Sequence, residues 1–272
     1  MTLNSALATV PRTIRTLGAT MRPDGYHGVY QAGAGGDEAF VQVLDGVTGR
    51  SWYERFTTPM DPWPVTLRSP GIMGWYGWVP VMECYHGLVS FGHELSGSLA
   101  LDGAELDFDG GLGYIEKDWG QAFPSGYIWM QSNHFSLPGV SLSASIAVIP
   151  WRRSSFPGFI VGVRMPGPDG RSALHRFATY TGAKTTGLAV DDDAVVWSLR
   201  SRSGATLRIA AERRRGGLLH APIRTEMHRR VEETLDARVH VTLSDRAGRI
   251  LLEDVGEAAG LEVHGEIERL FV

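Results

Sequence analysis

Apolar and polar residues alternate in short runs along most of the chain, and the runs end at clusters of glycine, proline, aspartate or asparagine. A period of two sends successive side chains to opposite faces, so these runs form half-buried strands; helical spacing is scarce. In LSGSLALDGAELDFDGG (residues 95–111), Asp102 and Gly103 separate two alternating runs. Asp-Gly supplies the positive φ angles of a tight hairpin turn. A second hairpin is legible in ARVHVTLSDRAGRILLEDV, where Val239, Val241 and Leu243 alternate with polar residues before the SDRAGR turn. A third lies in FIVGVRMPGPDGRSALHRFATY, with Pro166, Pro168, Asp169 and Gly170 as its loop. AFVQVLD, RSWYERF, VSLSASIAVI, AVVWSLR and LEVHGEI read as further strands, for a total of about fifteen.

Antiparallel strands in this number must close on themselves or stack, because open edges invite aggregation. The expected fold is all-β, an antiparallel barrel or sandwich of two packed β lobes with little helix. Glycine accounts for 34 of 272 residues, which implies many turns. Pro/Gly punctuation at QAFPSG marks the best boundary. The expected organisation is a flexible tail over 1–20, a first lobe over 21–122 and a second over 123–272, together forming one compact unit.

A formal net charge of −4 and short basic runs at 213–215 and 229–230 offer no electrostatic case for nucleic acid. A single cysteine, Cys84, excludes an internal disulfide. Residues 1–20 lack the continuous apolar core of a signal peptide, and no apolar run approaches the length of a membrane span. A cytoplasmic setting is expected. G-x-S-x-G and H-E-x-x-H are absent from the sequence, and GAGG at 33–36 lacks the strand-to-helix setting of a dinucleotide loop.

The densest chemistry lies in GYIEKDWGQAFPSGYIWMQSNHF, residues 113–135. In a strand over 126–135, Tyr127, Trp129, Gln131, Asn133 and Phe135 share one face, and Ile128, Met130, Ser132 and His134 the other. Amides ringed by aromatics suit either a polar ligand group or a structural network. In the preceding strand Tyr114, Glu116 and Asp118 lie together. Two carboxylates so close either share a proton, one pKa being raised, or face water and pair with Lys117 and nearby arginines. MECYHG adds Tyr85 and His86; Cys84 and His86 share a face, but no further ligands at zinc-like spacing are evident, so no metal is expected. GIMGWYGWVP (71–80) sets Trp75 and Trp78 among glycines, which suits the rim of an apolar pocket.

These segments resemble the tocopherol cyclase family. GYIEKDWGQAFPSGYIWMQSNHF carries the most specific part of the likeness, and MECYHG, IAVIPW, FPGFIVG, RFATYTGAK and GGLLHAPI look like further family blocks. The resemblance implies a lipocalin-like β architecture and cofactor-free closure of a prenylated benzoquinol to a chromanol. One departure stands out. Family members carry an aromatic block of the type F-F-E-G-W-Y-F soon after a GYH motif, whereas Gly25, Tyr26 and His27 are followed here by GVYQAGAGGDEAFVQV.

Under that resemblance Glu116 or Asp118 is the expected proton donor and His86 the second candidate. Trp119, Trp129 and Tyr114 would shield a carbocation, and Gln131, Asn133 and His134 would orient the quinol oxygens. Tyr85, Trp75 and Trp78 would complete the pocket. The implied partner is a hydrophobic small molecule, a prenylated aromatic or other isoprenoid, bound without a cofactor or metal. Such a substrate calls for a mouth that meets lipid, so transient membrane contact from a peripheral position is the accompanying expectation. A non-catalytic isoprenoid binder, and a cyclase or hydratase of another natural product, fit the same residues.

Overall fold

The computed structural model describes residues 14–21, 26–33, 39–45, 51–56, 62–80, 82–101, 104–167, 171–223 and 226–271. Residues 1–13 of the expected tail, the Asp102–Gly103 turn and most of GAGG lie outside these. The protein is all-β and lipocalin-like, and it divides into two compact units, Met1–Asp61 with His93–Gly111, and Pro62–Gly92 with Leu112–Val272.

In the first unit, β1 (Ile14–Met21), β2 (Tyr26–Gly33), β3 (Ala39–Asp45) and β4 (Ser51–Phe56) form an antiparallel four-stranded meander. β6 (Ser98–Leu101) pairs separately with β7 (Ala104–Asp107), antiparallel, with Leu101 opposite Ala104.

The second unit begins with a short 3₁₀ turn, Gly74–Trp78. β5 (Cys84–Glu94) then pairs with β8 (Leu112–Gly120) in a two-stranded sheet. The other strands are β9 (Gly126–Ser132), β10 (Ser141–Trp151), β11 (Ser154–Pro166), β12 (Ser172–Ala178), β13 (Lys184–Val190), β14 (Ala194–Arg200), β15 (Thr206–Glu212), β16 (Gly217–Ile223), β17 (Glu226–Ser244) and β18 (Ile250–Gly265). They form one antiparallel sheet in the order β12-β11-β10-β9-β18-β17-β15-β14-β13, with β16 against β17. The expected β11–β12 and β17–β18 hairpins are both present.

This sheet curls into a half-barrel. The curl is visible in the packing, because Phe159 of β11 meets Trp197 of β14 edge-on at 5.9 Å although the two strands lie near opposite ends of the sheet. Between them, on the sheet's inner face, Ile128, Met130, Leu142, Ile146, Val161, Leu199, Leu207 and Val241 build the main core. Each such side chain contributes about 1.5–3 kcal/mol when fully removed from water.

The opposite face carries the alternate residues of the same strands. Tyr127 and Trp129 on β9, Ser145, Ala147 and Ile149 on β10, Gly158 and Ile160 on β11 and Glu262 on β18 all line one cavity. Gly162 on this face admits the indole of Trp63, which would lie 2.5 Å from a Cβ there.

Candidate active site

Within β8, Tyr114, Glu116 and Asp118 fall on one face by strand alternation, and β5 brings His86 against them. The two strands are locked at one end. Gly120 lies so close to Glu83 that a Cβ would sit 2.1 Å from its carbonyl oxygen, and that oxygen accepts the Gln121 and Ala122 N–H groups at 2.8 and 3.3 Å. This close crossing sets β5 against β8 so that His86 faces Asp118.

The resulting cluster is compact. His86 Nδ1 donates to Asp118 Oδ1 at 2.7 Å, and His86 Nε2 lies 3.8 Å from Glu116 Oε2 without a hydrogen bond. Glu116 Oε2 accepts from Tyr114 Oη at 2.5 Å and from Trp129 Nε1 at 3.1 Å. Burial alone disfavours the imidazolium, but Glu116, Asp118 and the Asp118 hydrogen bond outweigh it and raise the His86 pKa from 6.5 to about 9. His86 is therefore cationic at neutral pH. Burial pushes the Glu116 pKa upward, opposed by the imidazolium and the Tyr114 and Trp129 hydrogen bonds. Burial also raises the Tyr114 phenol well above its ordinary value.

The cluster opens into a cavity of about 140 Å³. Met73, Tyr76, Met82, Phe123, Phe156 and Phe159 supply much of its apolar wall. Such a lining, with a few convergent polar groups, is the ordinary form of a site for an apolar small molecule. His86, Glu116 and Asp118 present ligand atoms within 4.8 Å of one another, so they are the described residues that could hold a metal ion. The same set equally makes a proton relay.

The sequence-predicted residues occupy distinct places. Glu116, Asp118, His86 and Trp129 line the cavity, and Tyr114 stands behind Glu116 as its donor. Trp119 is half exposed and stacks on Tyr85 at 5.5 Å, over Gly87 and outside the lining. Tyr85 Oη donates to the Val79 carbonyl. Trp75 stacks on Tyr76, and Trp78 donates to the Leu67 carbonyl; both indoles are largely exposed. Asn133 is buried and its amide donates to the Gly113 carbonyl. Gln131 keeps a buried Nε2 without a hydrogen-bond partner among the described residues, and exposed His134 accepts the Glu257 N–H at its backbone carbonyl.

Sequence reasoning missed one carboxyl in the cavity. Glu262 on β18 stands directly across from Trp129 on β9, and its Oε2 accepts from Tyr127 Oη at 2.6 Å. Burial raises its pKa to about 7, helped by the charges of Glu233, Glu116 and Asp118 and opposed by the Tyr127 hydrogen bond. The available signal was its alternation with Leu261 and Val263, which places it on the face opposite the core.

Fold and site together define a lipocalin-like β protein with an acid-lined apolar cavity. The chain belongs to the tocopherol cyclase-like family, whose model matches residues 30–265. It is 30% identical over 101 residues to a protein of Oryza sativa subsp. japonica described as "Probable tocopherol cyclase, chloroplastic", covering 37% of this chain and 21% of that one. It is 25% identical over 175 residues to "Tocopherol cyclase, chloroplastic" of Zea mays, covering 62% and 34% respectively. The chain thus spans well under half the length of the curated relatives it matches. Among the described residues no helix is long and apolar enough to cross a membrane.

Proposed function

We propose that the protein is an intramolecular cyclase that closes a prenylated hydroquinone, or a related isoprenoid phenol, to a chromanol-type ring. Family membership supports a cyclase-type activity. The observation that carries the reading is the carboxyl–imidazole–carboxylate cluster opening into an aromatic, apolar cavity.

Ring closure needs a proton on the trisubstituted alkene, a tertiary cation kept from water, and a phenol oxygen held against it. The reaction moves no electrons between molecules, so it calls for no redox cofactor. Glu116, Asp118 and His86 are the proton-handling groups of one wall, with Asp118 holding the imidazolium and Tyr114 positioning Glu116. The indole face of Trp129 shields the cation, a contact of about 0.5–2 kcal/mol and more when dry. Holding the two reacting ends in attack geometry adds to this through proximity.

The test is incubation of purified protein with prenylated hydroquinones of different tail length, followed by chromatography and mass spectrometry. A product of unchanged mass and new retention is expected. Quantitative recovery of every hydroquinone overturns the reading and favours a binding protein.

A further inference from the structure

The cavity holds a second carboxyl unit that the His86 cluster does not use. Glu262 and Glu116 come from strands far apart in sequence and flank the same indole. Trp129 donates its Nε1–H to Glu116, while its six-membered ring lies over Gly260, where a Cβ would be 2.8 Å from Cζ3. Glu262 lies two residues further along β18, across from Trp129. The two carboxyls are nevertheless dressed differently. Glu116 Oε2 accepts two hydrogen bonds and faces the His86 imidazolium, three contacts that favour its carboxylate form and oppose the burial and the Asp118 charge that raise its pKa. Among the described residues, Glu262 accepts one hydrogen bond, from Tyr127, and its titration is otherwise set by burial and by the negative charges of Glu233, Glu116 and Asp118.

Resting on the cyclase reading above, we propose that Glu262 is the acid that protonates the substrate alkene, with Tyr127 as its positioning residue and Glu116 as the acceptor of the phenol proton. The Glu262 carboxyl O–H breaks as a C–H bond forms from the alkene π pair, which leaves a tertiary cation beside Trp129. A lone pair of the phenol oxygen forms the C–O bond, and the phenol O–H proton passes to Glu116. One proton enters and one leaves, so substrate and product are isomers. The resting enzyme returns by transfer of that proton to Glu262 through solvent.

The arrangement makes Glu262 the group whose loss of a proton ends activity. With its pKa raised to about 7, turnover should fall as pH rises through that value. Tyr127 favours the ionised form through its hydrogen bond, so Tyr127→Phe should move this alkaline limb upward.

The test compares wild type, Glu262→Gln and Tyr127→Phe on a prenylated hydroquinone across the neutral pH range, with thermal melts on all three. Expected are isomerisation by the wild type with a descending limb near pH 7, a loss of at least about a hundredfold in Glu262→Gln, and an upward shift of the limb in Tyr127→Phe. In deuterated water the wild-type product should carry one deuterium on the former alkene carbon. If the wild type cyclises and Glu262→Gln stays within about threefold with the same limb, the assignment of Glu262 is overturned and the cyclase reading stands. If Glu262→Gln does not fold, an unmoved or lowered limb in Tyr127→Phe overturns it equally. Failure of the wild type to convert any hydroquinone overturns the cyclase reading, and Glu262's role with it.

Discussion

His86 Nδ1 and Asp118 Oδ1 lie 2.7 Å apart across β5 and β8, an ion pair set in the wall of an apolar cavity. Asp118 and Glu116 hold the imidazole charged, with a pKa of about 9. In Asp118→Asn the nearest carboxylate loses its charge, so the imidazole should titrate at lower pH than in the wild type. Histidine ring resonances followed by NMR across the alkaline range decide this, and an unchanged His86 titration in the variant counts against the pair.

His86 and Glu262 make stability depend on pH in the same sense. The folded His86 binds its proton more tightly than the unfolded chain does, so its contribution is fully present below 6.5 and is lost as pH rises through 9. Glu262 likewise keeps its proton in the folded state between 4.5 and 7, so stability again falls as pH rises through that window. Urea midpoints should decline from weakly acidic to alkaline pH. Glu262→Gln should flatten the acidic half of this decline and leave the alkaline half.

Glu116→Gln keeps the shape of the side chain and removes the charge that His86, Tyr114 and Trp129 surround. Turnover of a prenylated hydroquinone should drop at least about tenfold while the melting profile of the fold survives. Full activity in both this variant and Asp118→Asn would remove the cluster from the mechanism.

Cys84 lines the cavity, yet burial and the charges of Asp118, Glu116 and Glu83 push its thiol up to about 12. The thiolate is the reactive form. Alkylation by a maleimide near pH 8 should therefore be slow, and it should accelerate on unfolding in urea. Because the chain has one cysteine, a single mass increment reports it.

Gly260→Ala should displace the Trp129 indole, since the new Cβ would meet its ring at 2.8 Å in the backbone of β18. Lower melting temperature and lower turnover are both expected. Gly217→Ala is the control, because nothing lies within 4 Å of a Cβ at that position. A Gly260→Ala protein as active and stable as the control contradicts the packing described.

The strands and the division of β9 into two faces were legible in the sequence, because alternation is a local property. Ile128 and Met130 enter the core and Tyr127 and Trp129 the cavity, as their spacing requires, but the strand expected over 126–135 ends at Ser132, and Phe135, expected on the Tyr127 face, packs against the main core. Legible too was the grouping of Glu116 with Asp118. The partnership of β9 with β18 was not, for Tyr127 and Glu262 are 135 residues apart and no local pattern records which distant strand closes a sheet. The exposed indoles of Trp75 and Trp78 follow from a 3₁₀ turn, whose period neither strand nor α-helix spacing reveals. Asn133 illustrates a different limit. Its residue type demands hydrogen bonding when buried, but only the packing of β8 shows that the partner is the carbonyl of Gly113.

The pleat of β9 has an evolutionary consequence. Scaffold and chemistry are written on alternate letters of the same seven-residue strand. Substitutions at the odd positions can remodel what the cavity accepts, and those at the even positions can tune how firmly the half-barrel holds, with little interference between the two. A lineage built this way is free to exchange one substrate for another while keeping a single frame.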